Sequence, residues 1–63
     1  MDMLNRAKSF EGKMIRVRTK SGETCEGTLE AVDIDGEMTL RPPFSKTFFL
    51  NVSELESLAS EAG

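Results

Sequence analysis

The sequence of 63 residues lacks the residue types that small proteins most often use for catalysis or for covalent stabilisation. It contains no histidine, tyrosine or tryptophan, and Cys25 is its one cysteine. An internal disulfide is therefore excluded, as are zinc sites built on Cys/His pairs and histidine-based catalysis. A glycine-rich phosphate-binding loop is also missing. The sequence predicts a protein that is not an enzyme and needs no metal or cofactor, with Cys25 as a small core residue.

The chain is also short and has fewer basic than acidic residues. A domain of this size without a disulfide or a metal commonly becomes stable by associating with further copies, so the sequence predicts one domain over residues 1–63 that forms oligomers. Eight basic residues stand against eleven acidic ones, a net charge of −3 at pH 7, which gives no overall attraction for nucleic acid. No apolar run reaches the length of a signal peptide or a membrane span, so a cytoplasmic location without membrane contact is expected.

Alternating apolar and polar residues predict a β-hairpin in the first half of the chain. Its strands cover residues 14–20 and 24–31, and a three-residue loop, 21–23, joins them. That loop sets Arg18 opposite Glu26, and it brings the apolar faces of both strands to the same side of the sheet. The predicted core face holds Ile15, Val17 and Thr19 in the first strand and Cys25, Gly27, Leu29 and Ala31 in the second.

The basic residues of the first strand are predicted to be neutralised by the second. Glu26 is a direct or diagonal cross-strand neighbour of both Arg16 and Arg18, and such a contact is worth about 0.2–1 kcal/mol. The pattern therefore favours a charge-balanced, solvated sheet face over a phosphate-binding strip.

Short local signals place the other elements. Asp2 is a good N-cap residue in front of a brief helical stripe, and Asp35-Gly36 is a strong signal for a second hairpin turn. The predicted elements are a helix within residues 1–11, a turn at 33–37, a strand at 38–41 that ends before Pro42-Pro43, and a fourth strand at 47–52.

The carboxyl-terminal segment, residues 53–62, is ambiguous from its residues alone. Residues 53–56 match a capping box, and Leu55 and Leu58 recur at helical spacing, which favours a helix. A tight turn followed by a brief strand is the alternative.

Within this order of elements, residues 12–58 resemble the Sm and Sm-like protein family. The first half of the resemblance is Gly12-Lys13-x-Ile15-x-Val17, the turn Ser21-Gly22-Glu23, and Gly27-x-Leu29-x-x-Val32-Asp33. The second half is Met38-Thr39-Leu40, where the family commonly has Met-Asn-Leu, and Leu50-Asn51-Val52-Ser53-Glu54-Leu55-x-x-Leu58, where it typically has Ile-Arg-Gly-x-x-Ile.

The resemblance implies an all-β fold, namely a small, strongly bent five-stranded antiparallel SH3-like barrel with a short N-terminal helix. The helix would cover residues 1–11, the barrel 12–59 and a tail 60–63, with a turn and a short strand in the carboxyl-terminal segment. Members of the family assemble edge to edge into rings, so a cyclic homo-oligomer is implied, in which strand four of one copy pairs with strand five of the next. The residues expected near that interface are Phe48, Phe49 and Leu50.

The resemblance also implies that the ring binds single-stranded, often uridine-rich RNA at its inner rim. In each subunit two motif loops form one nucleotide pocket, where a side chain stacks on the base and polar groups read its edge. By position, Met38 is the stacking residue, and the polar residues are Asp33 or Asp35, Thr39 and Asn51.

Two alternatives stay open at this point. Thr39 and Asn51 depart from the family's pattern and the net charge is −3, so a structural or protein-interaction ring without a nucleotide site is the second hypothesis. A cation site at Asp33, Asp35 and Glu37 is the third, because alternate carboxylates in a loop can converge on calcium or magnesium. The same residues are common in turns, and no complete calcium-binding loop follows.

Overall fold

The chain, described over residues 2–61 by a computed structural model, begins with helix α1, Met3–Ser9. The carboxylate of Asp2 accepts a hydrogen bond from the backbone N–H of Asn5 at 2.8 Å. This contact satisfies one of the first-turn amides that have no partner within a helix. Ala7 is the fully buried residue of α1. The predicted helix and its N-cap are confirmed.

Five antiparallel strands form one sheet. Its order is β4-β3-β2-β1-β5, which leaves β4 and β5 as the edge strands. A single turn of 3₁₀ helix joins these two edges. The bounds are β1 Met14–Thr19, β2 Thr24–Val32, β3 Glu37–Arg41, β4 Phe48–Asn51, the 3₁₀ turn Val52–Glu54 and β5 Leu55–Ser60.

The short connection between β4 and β5 bends the sheet. In a flat sheet, strands about 4.8 Å apart would separate the two edges by about 19 Å. The four residue steps from Asn51 to Leu55 reach about 14 Å at most, even when fully extended. The sheet must therefore curl until its edges approach each other at this end.

The first hairpin turn differs by one position from the sequence prediction. Its loop is Lys20–Gly22, because Gly22 has φ +96° and occupies the third loop position, where a residue in the left-handed region follows a type I turn. Thr19 and Glu23 close the turn through a backbone hydrogen bond of 2.8 Å. Arg16, not Arg18, consequently lies opposite Glu26.

The second hairpin turn, between β2 and β3, repeats this geometry. Asp33 donates its backbone N–H to the carbonyl of Glu37 at 3.1 Å, and Gly36 has φ +87° at the third loop position. In both turns the first residue caps the turn with its side chain: Thr19 Oγ1 accepts from the backbone N–H of Glu23, and Asp33 Oδ1 accepts from that of Glu37. The shared pattern is a capping residue, two variable residues, glycine and glutamate.

Two β-bulges change which side chains face the core, compared with the sequence prediction. The pairing of β2 with β3 shifts between Leu29 and Ala31. A bulge adds one residue on the bulged strand, so that Leu29 and Val32, three positions apart, both face the core while Ala31 is exposed. The placement of Ala31 on the core face was wrong, because strict alternation does not continue through a bulge.

The carboxyl-terminal segment is a strand, which rules out the helix that its spacing favoured. The pairing of β5 with β1 shifts between Arg18 and Thr19, where Thr19 pairs with Leu55. The bulge directs both Leu55 and Leu58 inward, with 4% and 3% of their surface exposed. The same three-residue spacing therefore serves a bulged strand as well as a helix. The predicted start of the tail at Ser60 was wrong, because Ser60 is the last residue of β5. Residues 62 and 63 of the predicted tail, and residue 1 of the predicted helix range, lie outside the described residues.

The core lies inside the curled sheet and beneath α1. Its largest fully buried side chains come from the three central strands: Ile15, Leu29, Met38, Leu40 and Val17. Cys25 is half-buried and packs against this cluster. The all-β character, the five antiparallel strands and the N-terminal helix are confirmed, whereas β4 and β5 do not pair with each other within the chain. Within residues 2–61, none of the helical segments has the length and apolar character needed to cross a membrane.

Candidate functional site

Residues 51–54 bring the two hairpin turns together at one end of the molecule. The backbone N–H of Val52 donates to the carbonyl of Gly36 at 2.8 Å, and that of Lys20 donates to the carbonyl of Glu54 at 2.9 Å. A Cβ on Gly36 would lie 2.7 Å from Cγ2 of Val52, so only glycine fits this approach without a shift. We call residues 19–23, 33–37 and 50–54 together the turn end.

Asn51 holds the centre of the turn end through three hydrogen bonds. Its Oδ1 accepts from the backbone N–H of Ser53 at 2.9 Å, and its Nδ2 donates to the backbone carbonyl of Asp35 at 3.1 Å. Its backbone N–H donates to the carboxylate of Glu54 at 3.2 Å, which completes a capping box. The capping box therefore begins at Asn51, two positions before the predicted one, and the amide expected to read a base caps the 3₁₀ turn.

Asp33 and Asp35, the two candidates for one polar position, are exposed but have different surroundings. Asp33 Oδ1 accepts from the backbone N–H groups of Asp35 and Glu37, both at 2.9 Å, so its carboxylate stabilises the second turn. Asp35 contributes its backbone carbonyl to the contact with Asn51. The structure thus brings Asp33, Asp35 and Asn51 into one neighbourhood.

Met38 and Thr39 lie at the start of β3. Met38 is completely buried, so its side chain presents no surface on which a base can stack in this conformation. Thr39 is half-buried and pairs with Phe49 of β4. The stacking position is therefore in the core, and the exposed apolar residue of this region is Ile34 at the tip of the second turn, with 81% of its surface exposed.

The residues predicted for a subunit interface all lie on the edge strand β4. Phe48 and Leu50 are half-buried and pack against the core, and they pair with Leu40 and Met38 of β3. Phe49 points to the other face and is 65% exposed. Apolar surface is thus present on both faces of this edge.

The arginines on the outer sheet face are all in ion pairs. Arg16 lies 2.8 Å from Glu26 and 3.6 Å from Glu61, measured from guanidinium nitrogen to carboxylate oxygen. Arg18 pairs with Glu56 at 3.2 Å, and Arg41 pairs with Glu30 at 3.1 Å. The charge-balanced face is confirmed, but Glu26 pairs with Arg16 alone, and the predicted partner of Arg18 was wrong because Glu56 of β5 takes that place.

Arg16, Glu26 and Glu61 form a hydrogen-bonded charge cluster. The hydrogen bond with Glu26 is the main cause that raises the pKa of Glu61, and desolvation adds to it. The pKa of Glu26 is lowered, first by its hydrogen bond with Glu61 and then by that with Arg16. The pKa of Arg16 is raised, chiefly by the hydrogen bond to Glu26. Glu61 therefore keeps its proton to a higher pH than Glu26 does.

The turn end carries the protein's excess negative charge. It contains Lys20 and five acidic residues, a net charge of −4, so the remaining seven basic and six acidic residues sum to +1. Among residues 2–61, the ion pairs all join residues outside the turn end. Over the same part of the chain, no group of three or more acidic or cysteine residues is arranged to hold a metal ion. The five acidic residues are Glu23, Asp33, Asp35, Glu37 and Glu54.

Comparison with known proteins adds no relative. A scan against protein-family models gave no match, and searches of the curated proteins and of the solved structures gave none either.

Sequence reasoning did not find the role of residues 51–54 as the segment on which both turns dock. The repeated pattern of a capping residue, two variable residues, glycine and glutamate was a usable signal for two equivalent turns. The sequence contains no signal that the two turns meet the same segment, because their backbone contacts, Lys20 to Glu54 and Val52 to Gly36, depend on the curl of the sheet.

Proposed function

We propose that this chain is a non-catalytic, Sm-like subunit that assembles into a cyclic homo-oligomer and serves as a protein-interaction scaffold. The observation that carries the assembly is the open sheet, in which β4 and β5 each have a single strand neighbour within the chain. An exposed strand edge offers backbone donors and acceptors to any strand that can pair with it. Pairing of β4 with β5 of a second copy satisfies both edges with one kind of contact.

The contact between copies would be heterologous, since two different edges meet. Such contacts form a ring when the rotation between copies closes. Burying Phe49 and the half-buried Phe48 in this contact would add apolar burial that a chain of 63 residues lacks on its own.

Absolute mass by light scattering tests the assembly. The expected result is one species whose mass is a fixed multiple of 7.0 kDa and stays constant on dilution through the micromolar range. The variant Phe49→Lys places a charge on the β4 edge and should shift the protein towards smaller species. Phe44→Lys is the matched control, because Phe44 is 97% exposed and belongs to the β3–β4 loop and not to a strand. A wild-type monomer would contradict the proposal.

The residues expected to bind a nucleotide are buried or already hydrogen-bonded within the chain, and this supports the scaffold role. Met38 is buried, Asn51 is engaged in the capping box, and Asp33 caps its own turn. The turn end has a net charge of −4, whereas neutralisation of phosphate normally supplies much of the affinity for nucleic acid. These features favour a protein partner.

Binding of single-stranded, uridine-rich RNA at the inner rim is the second candidate. One observation favours it: the two loops that would form the pocket do meet, through the contact of Asn51 with Asp35 and that of Val52 with Gly36. Filter binding of oligo-uridine and oligo-adenosine to the assembled protein at low salt separates the candidates. Saturable binding that prefers uridine supports the RNA function, and no binding by the intact oligomer leaves the scaffold function.

A further inference from the structure

A cleft opens at the turn end between the first hairpin turn and the 3₁₀ segment. Its volume is about 340 Å³, at the lower end of the range of about 300–1,000 Å³ typical of ligand pockets. A space of this size suits a single side chain of a partner better than a large ligand. The residues that line it are Thr19, Lys20, Ser21, Glu23, Leu50, Ser53 and Glu54.

The lining of the cleft consists mainly of hydrogen-bond acceptors around one apolar residue. Glu23 and Glu54 are the acidic residues of the lining, and Oε2 of Glu54 already accepts from the backbone N–H of Asn51. Three hydroxyl groups, two of them on Thr19 and Ser21, can accept hydrogen bonds. The hydroxyls of Thr19 and Ser21 already lie 2.8 Å apart, which fixes their positions. Leu50 supplies apolar surface. A ligand with several donors on an aliphatic stem matches this set.

The net charge around the cleft also favours a ligand that is a cation. The turn end carries −4 while the rest of the chain sums to +1, so the field at this end attracts cations. Lys20 is the one basic residue of the lining, and its ammonium group competes with an incoming cation. Glu23 has no ion pair among residues 2–61 and is free to meet a ligand with its carboxylate.

We propose that this cleft binds an arginine side chain presented by a basic segment of a partner protein. The inference rests on the proposed scaffold function but not on ring closure, because each chain contains the whole cleft. Arginine fits better than lysine, since its planar group offers five donors that can reach two carboxylates and neighbouring hydroxyls at once. Its methylene stem would lie along Leu50.

The geometry opposes an anionic ligand at this place. A phosphate or an RNA backbone would bring negative charge next to Glu23 and Glu54, with Lys20 as the only compensating group of the lining. The partner segment is therefore cationic at this position.

Amide chemical shifts of the ¹⁵N-labelled full chain, followed by NMR at low salt, test the proposal. The probe is acetyl-Gly-Arg-Gly-amide, with acetyl-Gly-Gln-Gly-amide as its neutral counterpart and hexauridylate as the nucleic-acid arm. We expect the arginine peptide to shift the amides of residues 19–23 and 50–54 in a saturable way, and the shifts to weaken as salt is added. The glutamine peptide should leave them in place.

Three variants make the test specific. Glu23→Gln should weaken binding about threefold, and Lys20→Gln should strengthen it by a similar factor, as expected for single exposed charges. Glu30→Gln changes the net charge as Glu23→Gln does, but on the outer sheet face, and should leave the affinity unchanged. Equal effects of Glu23→Gln and Glu30→Gln, or shifts spread over all acidic positions, would overturn the proposal.

The remaining outcomes distinguish this site from the ring. Localised shifts produced by hexauridylate and not by the arginine peptide assign the cleft to RNA and also overturn the proposal. Light scattering on the same samples reports assembly separately. If the protein is a monomer and binds the arginine peptide, the proposed ring is wrong and the proposed cleft is kept. If the protein is an assembled ring and does not bind the peptide, the proposed cleft is wrong and the ring is kept.

Discussion

The side-chain amide of Asn51 donates a hydrogen bond to the backbone carbonyl of Asp35 across 3.1 Å and so joins segments that are 16 positions apart. Its Oδ1 caps the 3₁₀ turn at the same time. One polar side chain therefore fixes both the connection between the edge strands and the second hairpin turn. This dual role makes Asn51 a structural residue, whatever it does for a ligand.

Replacing Asn51 with alanine should destabilise the protein by about 1–2 kcal/mol, because a cap and a hydrogen bond between segments are lost together. Urea unfolding followed by circular dichroism measures the change. Asn5→Ala on the exposed surface of α1 is the matched control, with an expected change within about 0.5 kcal/mol. Equal effects at the two positions would show that Asn51 does not hold the turn end.

Gly36 and Gly22 form a pair that separates backbone strain from steric overlap. Both have positive φ, +87° and +96°, but a Cβ would lie 2.7 Å from Val52 at Gly36, and at Gly22 nothing lies within 4 Å. Gly22→Ala should cost about 1 kcal/mol from the backbone alone. Gly36→Ala should cost clearly more, since Val52 must also move. Chemical denaturation of both variants tests the order, and a smaller loss at Gly36 contradicts it.

Met38 distinguishes a core role from an RNA-binding role. Met38→Ala should destabilise the protein by about 2–5 kcal/mol because it leaves a cavity, whereas Met38→Leu conserves volume and should cost less than about 1.5 kcal/mol. Thermal unfolding measures both. If Met38→Leu keeps the stability but abolishes binding of oligo-uridine, the buried position contacts RNA after a conformational change. Unchanged binding of oligo-uridine would show that Met38 acts only as a core residue.

The cluster of Arg16, Glu26 and Glu61 should give a pH-dependent stability. The raised pKa of Glu61 contributes stability that is present below its unfolded value and is lost as the pH rises through the folded value. The lowered pKa of Glu26 contributes with the opposite sign, present above its unfolded value and lost as the pH falls through the folded value. Carboxyl ¹³C NMR should find Glu61 titrating at higher pH than Glu26.

The variant Glu61→Gln checks this assignment. It keeps a hydrogen-bond donor next to Glu26 but cannot titrate, so the loss of stability just above the usual glutamate pKa should disappear. Glu56→Gln, which removes the carboxylate of β5 that pairs with Arg18, is the control for charge alone. The same pH profile in both variants would contradict the hydrogen bond with Glu26 as the cause of the raised pKa of Glu61.

The sequence by itself determined the local structure of this protein. Alternation in residues 14–19 placed Ile15 and Val17 in the core because successive side chains of a strand point to opposite faces. Asp2 marked the helix start, and glycines with the required positive φ marked both hairpin turns. Each of these signals acts over a few residues, which is why the chain alone contains them.

Only the tertiary structure decided the features that depend on pairing between distant segments. The spacing of Leu55 and Leu58 fits a helix and a bulged strand equally well, and pairing with β1 selected the strand. The buried position of Met38 and the engagement of Asn51 follow from the curl of the sheet, which brings residues 51–54 onto both turns. A sequence pattern cannot specify this curl, because it arises from the short connection between two edges that lie on opposite sides of the sheet.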